Sequence, residues 1–399
     1  MNKFFYPLIE NPFSNSDISE GIKVLKSKQL TMSKKTTAFE KDFSKSLKSK
    51  YSLMVNSGSS ANLLALQCLI NPYRKYRLKK DDEVIIPTLC WSTSLWPIIQ
   101  SNLKPVFVDI NPLSLNIDEN EIEKKINKKT KAILLVHVLG NSCDMDQIMR
   151  IKKKHNLILI EDTCESLGSK YKDKFLGTFG EFSSYSFYSS HQISSGEGGM
   201  ISCRDKTDYN IIKSQRSHGW SRDTIFENKV YKANKSLDKR FVFFNSGYNL
   251  RPTEVSAAIG HNQFKRLDKF IKIRNFNRKK IITSIKKNSF LNKKIDFYYE
   301  NKNVTPSWFG LSIKLLVNNK KYKYKIIKRL EKNGIETRPI ISGNFAKQPG
   351  AKKYQLIDKQ EYPNTDLVYN KSFFIGLPTK KIDNTFLKKI VSAFEKSFK

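Results

Sequence analysis

Cysteine is scarce in this chain, and the five present (Cys68, Cys90, Cys143, Cys164 and Cys203) are widely scattered, with no C-x-x-C pair and no histidine at metal-ligand spacing. That excludes a zinc ribbon or a disulfide framework and predicts reduced, mostly buried thiols. No run approaches the roughly 18 consecutive apolar residues of a membrane span. Met1–Glu10 lacks a basic stretch leading into an apolar one. The expectation is a cytoplasmic protein with no signal peptide, anchor or membrane partner. Internal repeats are absent, and low-complexity sequence is limited to local lysine clusters.

Lysine is what the chain has in excess. The formal net charge is +35 over 399 residues, and a surplus of Lys and Arg is the ordinary electrostatic footprint of nucleic-acid binding. Here the surplus is spread along the whole chain, for example at Lys23, Lys26 and Lys28, at Lys124, Lys125, Lys128 and Lys129, and at Lys269, Lys272, Lys279 and Lys280. No zinc-finger, recognition-helix or RNP-type pattern accompanies it. Solvated faces in a lysine-rich composition account for the charge, so no nucleic-acid partner is expected.

The length suffices for a large domain and a smaller one. From about residue 50 to 265, short β-rich runs alternate with longer amphipathic ones, the pattern of helices on a mainly parallel sheet. Strands are predicted at 51–55, 82–87, 104–110, 131–140 and 157–164, and functional loops are expected at their carboxyl ends. One long helix over 254–274, following Pro252, is predicted to end the large domain, residues 1–274. A smaller α+β domain, 275–399, would hold strands at 307–316 and 336–341, a helix closed by Gly334, and a terminal helix with Phe386, Leu387, Ile390, Val391 and Phe394 on one face.

Several short stretches carry possible chemistry. Gly58-Ser59-Ser60-Ala61-Asn62 stands at a strand-to-helix junction, where converging amides and the helix start would hold a phosphate; ordinary N-caps look the same. Asp162 emerges from the apolar strand end "LILIED", where a carboxylate needs a cationic partner such as a protonated ring nitrogen or a metal, unless it simply caps a helix. His191 sits at the centre of "YSFYSSHQISSGEGGMI", among Ser186, Ser189, Ser190, Ser194 and Ser195, and ahead of a glycine-rich turn. "SHGW" with Arg222, "GYNLRP" and "ETRPIISGNF" combine Arg or His with Gly and Asn, suited to gripping carboxylates, phosphates or sugar hydroxyls. Trp91, after a strand, is placed to stack on a planar ring or to pack in a core.

Taken in order, SGSSAN, the Trp-bearing loop, EDTCES, SFYSSHQISSGEGG, the SHG loop and GYNLRP resemble the DegT/DnrJ/EryC1/StrS family of pyridoxal-phosphate-dependent sugar enzymes, from about residue 30 onward. The resemblance implies an α/β, fold-type I aminotransferase-like architecture and a homodimer whose active sites borrow loops from the other subunit. Most members carry a lysine ahead of the GEGG turn, which binds the cofactor covalently. Here that position is His191, as in the family's nucleotide-sugar 3-dehydratase branch, so the resemblance implies non-covalent pyridoxal 5'-phosphate (PLP) or pyridoxamine 5'-phosphate and removal of a sugar hydroxyl. A neutral imidazole suits the step, taking a proton from the cofactor's methylene carbon as the C3 hydroxyl is expelled.

Carried over by motif, Gly58, Ser59 and Ser186 would hold the cofactor phosphate, with Asn249 entering from the other subunit. Asp162 would face the pyridine nitrogen, Trp91 would stack on the ring, and Glu165 would stand beside the cofactor. Ser190, His218, Arg222, Arg251 and Arg338 would serve the substrates, a nucleotide-linked 4-keto-6-deoxy sugar and the L-glutamate that regenerates the amine. The related dehydrases that use an iron-sulfur cluster need a downstream cysteine set, and this chain has no cysteine after Cys203. A cluster-free enzyme with an external reductant stays open. A sugar aminotransferase would need the missing lysine.

Overall fold

The computed structural model describes residues 4–9, 12–317, 319–356 and 360–399. Part of the N-terminal stretch Met1–Glu10 therefore lies outside the described residues. In chain order the strands are β1 (Tyr51–Val55), β2 (Glu83–Pro87), β3 (Lys104–Val108), β4 (Thr130–Val136), β5 (Ile158–Asp162), β6 (Lys170–Tyr171), β7 (Lys174–Phe175), β8 (Phe182–Ser186), β9 (Gly199–Cys203), β10 (Ile295–Phe297), β11 (Val304–Thr305), β12 (Gly310–Leu315) and β13 (Ser372–Gly376). Seven of them form the central sheet in the order β1-β9-β8-β5-β4-β2-β3.

Only β9 runs against its neighbours in that sheet, pairing antiparallel with β1 and β8. The other six therefore point the same way, and the loops after β1, β2, β4, β5 and β8 gather at one edge. The strands are apolar because both faces are covered by helices; Val84, Ile86, Leu134 and Ile160 join the core on one face, Ile85, Ile133, Leu135 and Leu159 that on the other. Two N-terminal helices, α1 (Asn15–Ser27) and α2 (Lys34–Leu47), pack on the helix Glu254–Phe264.

In the central sheet, β8 and β9 are the strands that alternation did not announce; β6, β7, β10, β11 and β13, outside it, were not predicted either. "FSSYS" is buried along its whole length, and its hydroxyls are tolerated because they find partners, such as Ser183 on the Tyr185 hydroxyl at 3.3 Å.

The predicted helix 254–274 is two helices, Glu254–Phe264 and Leu267–Lys287. At the break the Arg266 amide bonds to the Gln263 carbonyl at 2.8 Å, one residue short of the α pattern, while the Arg266 guanidinium is held at 2.5 Å by buried Asp17. The second helix runs unbroken through residue 274. The predicted strand 336–341 is a single bridge, Arg338 to Phe374. Pro339 supplies no donor for a ladder, and Ile341 and Gly343 turn into positive φ. A three-stranded sheet β10-β12-β13 carries the second core. Leu387, Ile390 and Phe394 of the terminal helix Asn384–Phe398 are buried in it, with Phe386 and Val391 at its margin. Gly334 closes the helix Lys320–Lys332 at φ 86°.

Among the described residues no helix is long and apolar enough to cross a membrane, and no group of three or more His, Cys, Asp or Glu is placed to hold a metal ion. All five cysteines are free, and all but Cys164 are buried.

Candidate functional site

The loop after β1 leads directly into α3 (Gly58–Leu69). Ser57 caps the helix, its hydroxyl accepting from the Ser60 amide at 3.1 Å. The helix begins three residues earlier than its apolar run suggests, which leaves the amides of Gly58 and Ser59 in the first turn, where helices lack internal partners. Gly58 is required by packing: a Cβ there would stand 2.7 Å from both the Cys164 sulfur and the Ser186 Cβ. One residue thus brings together the ends of β1, β5 and β8.

Asp162 is the last residue of β5 and is only 5% exposed. Its Oδ2 accepts from Asn62 Nδ2 at 2.8 Å and from the Ser94 hydroxyl at 2.7 Å, and its Oδ1 accepts from the Cys164 amide at 3.1 Å. Asn62 ends the motif at 58–62 but was given no role of its own, and Ser94, three residues after Trp91, was not singled out by sequence. Ser94 belongs to α4 (Ser92–Gln100), whose N-cap is Trp91, 57% exposed. The Ser59 hydroxyl meets Thr93 of the same helix at 2.8 Å. Gly58, Ser59, Asp162 and Ser186 are therefore knit by short contacts across the ends of β1, β5 and β8, and Thr93 and Ser94 tie in the Trp91 loop after β2.

Behind Asp162, Glu161 is fully buried and accepts from the amides of Gly177, Phe179 and Gly180, each at 2.7 Å, and from His137 Nε2 at 3.2 Å. Burial pushes its carboxyl up, but His137 and those amides outweigh burial and hold it below the ordinary range. Glu161 is thus spent on holding a loop, leaving Asp162 as the carboxylate at the site edge. Glu165, three residues beyond β5, accepts from the Leu139 amide at 2.9 Å. Burial, with the nearby Asp162 charge adding to it against that amide, pushes its carboxyl up to about 7.

His191 lies on the loop between β8 and β9. The Phe187 amide bonds to the Gly198 carbonyl and the Ser195 amide to the Phe187 carbonyl, both at 2.9 Å, pinching that loop at its base. The imidazole stands edge-on to Phe309, ring centroids 5.2 Å apart, and its Nδ1 is buried with no partner. Burial, helped by the Arg274 charge and opposed by the Tyr188 carbonyl, lowers its pKa to about 3, so the ring is neutral at physiological pH. Ser190 lines the same small cleft. The glycine turn takes part in that pinch through the Gly198 carbonyl, and its last residue, Gly199, abuts the start of α3, where a Cβ would stand 2.4 Å from the Ser57 carbonyl carbon.

A second group forms on the loops Ser217–Arg222 and Gly247–Pro252. Ser217 bridges to Asn249, the His218 amide bonds to the Tyr248 carbonyl at 2.7 Å, and Arg251 Nε donates to Asn249 Oδ1 at 3.0 Å. His218, Arg222 and Arg251 all meet the Trp220 ring, at 5.1, 4.5 and 5.7 Å respectively. This tryptophan stands in the quoted "SHGW" and is the centre that sequence reasoning passed over. The Asn56 amide, bonded to the Leu250 carbonyl at 3.1 Å, ties this group to the end of β1. Arg338 joins neither group: its side chain pairs with Glu336 at 2.7 Å, and its backbone pairs with Phe374, whose ring packs on Phe309.

The DegT/DnrJ/EryC1/StrS aminotransferase family model matches residues 13–395. The chain is 38% identical over 365 residues to GDP-4-keto-6-deoxy-D-mannose 3-dehydratase of Escherichia coli O55:H7, covering 90% of this chain and 92% of that protein. A solved structure of E. coli GDP-4-keto-6-deoxy-D-mannose 3-dehydratase with bound hydrated PLP superposes with a TM-score of 0.89 at 34% identity, covering 98% of this chain and 99% of that one. A GDP-4-keto-6-deoxymannose 3-dehydratase holding a trapped PLP-glutamate geminal diamine gives 0.88 at 34% identity over 99% of this chain and 100% of that one.

Proposed function

The chain belongs to the DegT/DnrJ/EryC1/StrS aminotransferase family, and from that premise we propose that it is a PLP-dependent nucleotide-sugar 3-dehydratase, removing the C3 hydroxyl of GDP-4-keto-6-deoxy-D-mannose with L-glutamate restoring the amine form. The observation that carries this reading is residue 191. A half-buried, neutral histidine stands at the position that the family resemblance gives to the aminotransferase lysine.

The residues present fit the cofactor. Gly58 and Gly199 allow backbone to approach backbone at the start of α3, and its amides with Ser59 and Ser186 would hold the phosphate. Asp162, fixed by Asn62 and Ser94, would hold the proton on the pyridine nitrogen. Trp91 would cover the ring, and Glu165 would stand beside it. Pyridoxamine phosphate, when bound, supplies an amine for the 4-keto carbon and a pyridinium ring that stores an electron pair. His191 accepts the proton released at the methylene carbon and passes it to the departing hydroxyl, with Ser190 beside it. His218, Arg222 and Arg251 grip the carboxylates of glutamate, because a guanidinium fork matches a carboxylate in two bonds. Arg338, which stands apart from both groups and pairs with Glu336, is kept as a proposed substrate contact.

We further propose a homodimer in which Asn249 serves the partner's site. Its support is the exposure of Asn249 together with Phe241 and Phe243, which are 59% and 54% exposed beside Trp220; aromatic groups left open to this extent are characteristic of interfaces. We keep the division of the chain at 274/275 as a proposal as well.

The test incubates purified protein and pyridoxamine phosphate with GDP-, CDP- and TDP-linked 4-keto-6-deoxy sugars, with and without glutamate, and follows the sugar by mass spectrometry. Loss of one oxygen from the GDP sugar, with turnover only when glutamate is present, is expected. Retention of that oxygen on all of them would sink the reading.

A further inference from the structure

Arg274, on the helix Leu267–Lys287, is a buried cation with an unusual set of partners. It is 8% exposed, and among the described residues no carboxylate pairs with it; it donates instead from Nη2 to the His191 carbonyl at 3.0 Å and from Nε to the Leu377 carbonyl at 3.2 Å. Its Nη1 is buried without a partner. A neutral amide could satisfy those carbonyls without the desolvation cost of burying an ion. An unpaired guanidinium kept here therefore has a use that a neutral side chain would not serve, and what it touches is the residue read above as the base.

We propose that Arg274 is a positioning residue for His191: it locks the loop that carries the imidazole onto the helix Leu267–Lys287 and places a permanent cation beside the ring. This rests on the reading of His191 as the base. The titratable and charged groups facing the imidazole are Arg274 from the helix and Tyr188 from its own loop, the latter at 6.2 Å between ring centroids. Phe309, at the entry to β12, is neutral. Gln192 turns away to the carbonyls of Glu165 and Ser307. Among the described residues of the cleft that His191 and Arg274 share, these two are the only groups able to carry a charge.

The cation acts in both halves of the proton's journey. Before reaction it disfavours the imidazolium, which keeps the base free, consistent with the lowered His191 pKa. After the imidazole has taken its proton, like-charge repulsion makes it a stronger acid toward the leaving hydroxyl. The carbonyl bond fixes the loop during both.

The test uses the full-length protein labelled with 13C at histidine Cε1. The chain has five histidines, and His191→Asn identifies the signal of interest. Arg274→Met, which keeps the apolar stem and removes the charge, is expected to raise the titration midpoint of His191 by about one pH unit or more. Arg274→Lys, which keeps the charge, is expected to hold it near the wild-type value and so rescue the titration. In turnover, Arg274→Met should lower kcat by about tenfold or more while leaving cofactor affinity unchanged, and should shift the acidic limb of the pH profile. An unaltered His191 midpoint in a folded Arg274→Met protein overturns the proposal, as does an equal shift in the lysine variant. If Arg274→Met fails to fold, a His191 midpoint in Arg274→Lys raised by a full unit overturns it. Absence of dehydration by the wild-type protein overturns the function reading instead, and the titration still decides the role of Arg274.

Discussion

Gly58 and Cys164 pack so closely that a Cβ on the glycine would stand 2.7 Å from the cysteine sulfur. Ser186 blocks the same space at the same distance, so no small shift relieves both contacts. Gly58→Ala is expected to displace the first turn of α3 at an overpacking cost of about 1–3 kcal/mol. Because that turn carries the amides assigned to the phosphate, pyridoxamine phosphate affinity should fall by about tenfold or more, measured by fluorescence titration. A lowered melting temperature with unchanged affinity would place the phosphate elsewhere.

His191→Asn is expected to reduce dehydration by about 100- to 10,000-fold, the usual contribution of a positioned acid or base, while cofactor binding persists. His191→Lys should acquire visible absorbance on addition of PLP, since an amine then stands where family members bind the cofactor covalently. If the variant stays colourless, residue 191 is not in reach of the cofactor.

Ser94→Ala removes a 2.7 Å donor from a carboxylate that is almost wholly buried. Hydrogen bonds to charged groups contribute about 1.5–3 kcal/mol, so a loss of that size is expected in unfolding free energy or cofactor affinity. Ser94→Thr, which keeps the hydroxyl, should recover most of it. Denaturant titration with and without cofactor separates the two effects.

Stability should bend with pH in two opposed ways. His191 takes its proton near 3 in the folded chain against 6.5 in its absence, so the unfolded chain binds more protons in that window and stability falls as pH drops through it. Glu165 is protonated up to about 7 when folded against 4.5 otherwise. Its contribution is therefore present below 4.5 and lost as pH rises through 7. Melting temperatures of the cofactor-free protein should show a shallower acid decline in His191→Asn and a shallower decline toward neutrality in Glu165→Gln. Parallel curves for all three proteins would contradict both assignments.

Trp220 holds Arg222 and Arg251 within stacking range, at 4.5 and 5.7 Å. Arg222→Ala and Trp220→Ala are both expected to raise the KM for glutamate by about tenfold, equivalent to about 1.4 kcal/mol, without slowing a single dehydration started from pyridoxamine phosphate. Slowing of that first turnover would move this group to the sugar.

How much of this was open to sequence reasoning differs residue by residue. The parallel strands were legible because "DEVIIP", "KPVFV" and "LILI" are apolar on both faces, as a sheet covered by helices demands. β8 was not, since serines in "FSSYS" are buried only because neighbouring groups supply hydrogen bonds that no local pattern announces. The break between Phe264 and Leu267 was equally hidden, since Asp17, which holds Arg266 there, lies about 250 residues away along the chain and reads locally only as part of the capping box of α1. The strand expected at 336–341 failed on Pro339, whose effect was readable and was overridden by the apolar Ile340 and Ile341.

The sequence by itself determined the α/β class, the order of the loops and the histidine in place of a lysine, because periodicity, turn chemistry and residue identity are local properties. Tertiary structure decided which carboxylate faces the site. Glu161 and Asp162 are adjacent in sequence, but alternation along β5 sends one to three backbone amides and His137 and the other to Asn62 and Ser94 at the strand end. It also decided the state of His191, since the burial and the Arg274 guanidinium that keep the imidazole neutral are imposed by packing against a helix that begins about 75 residues later in the chain.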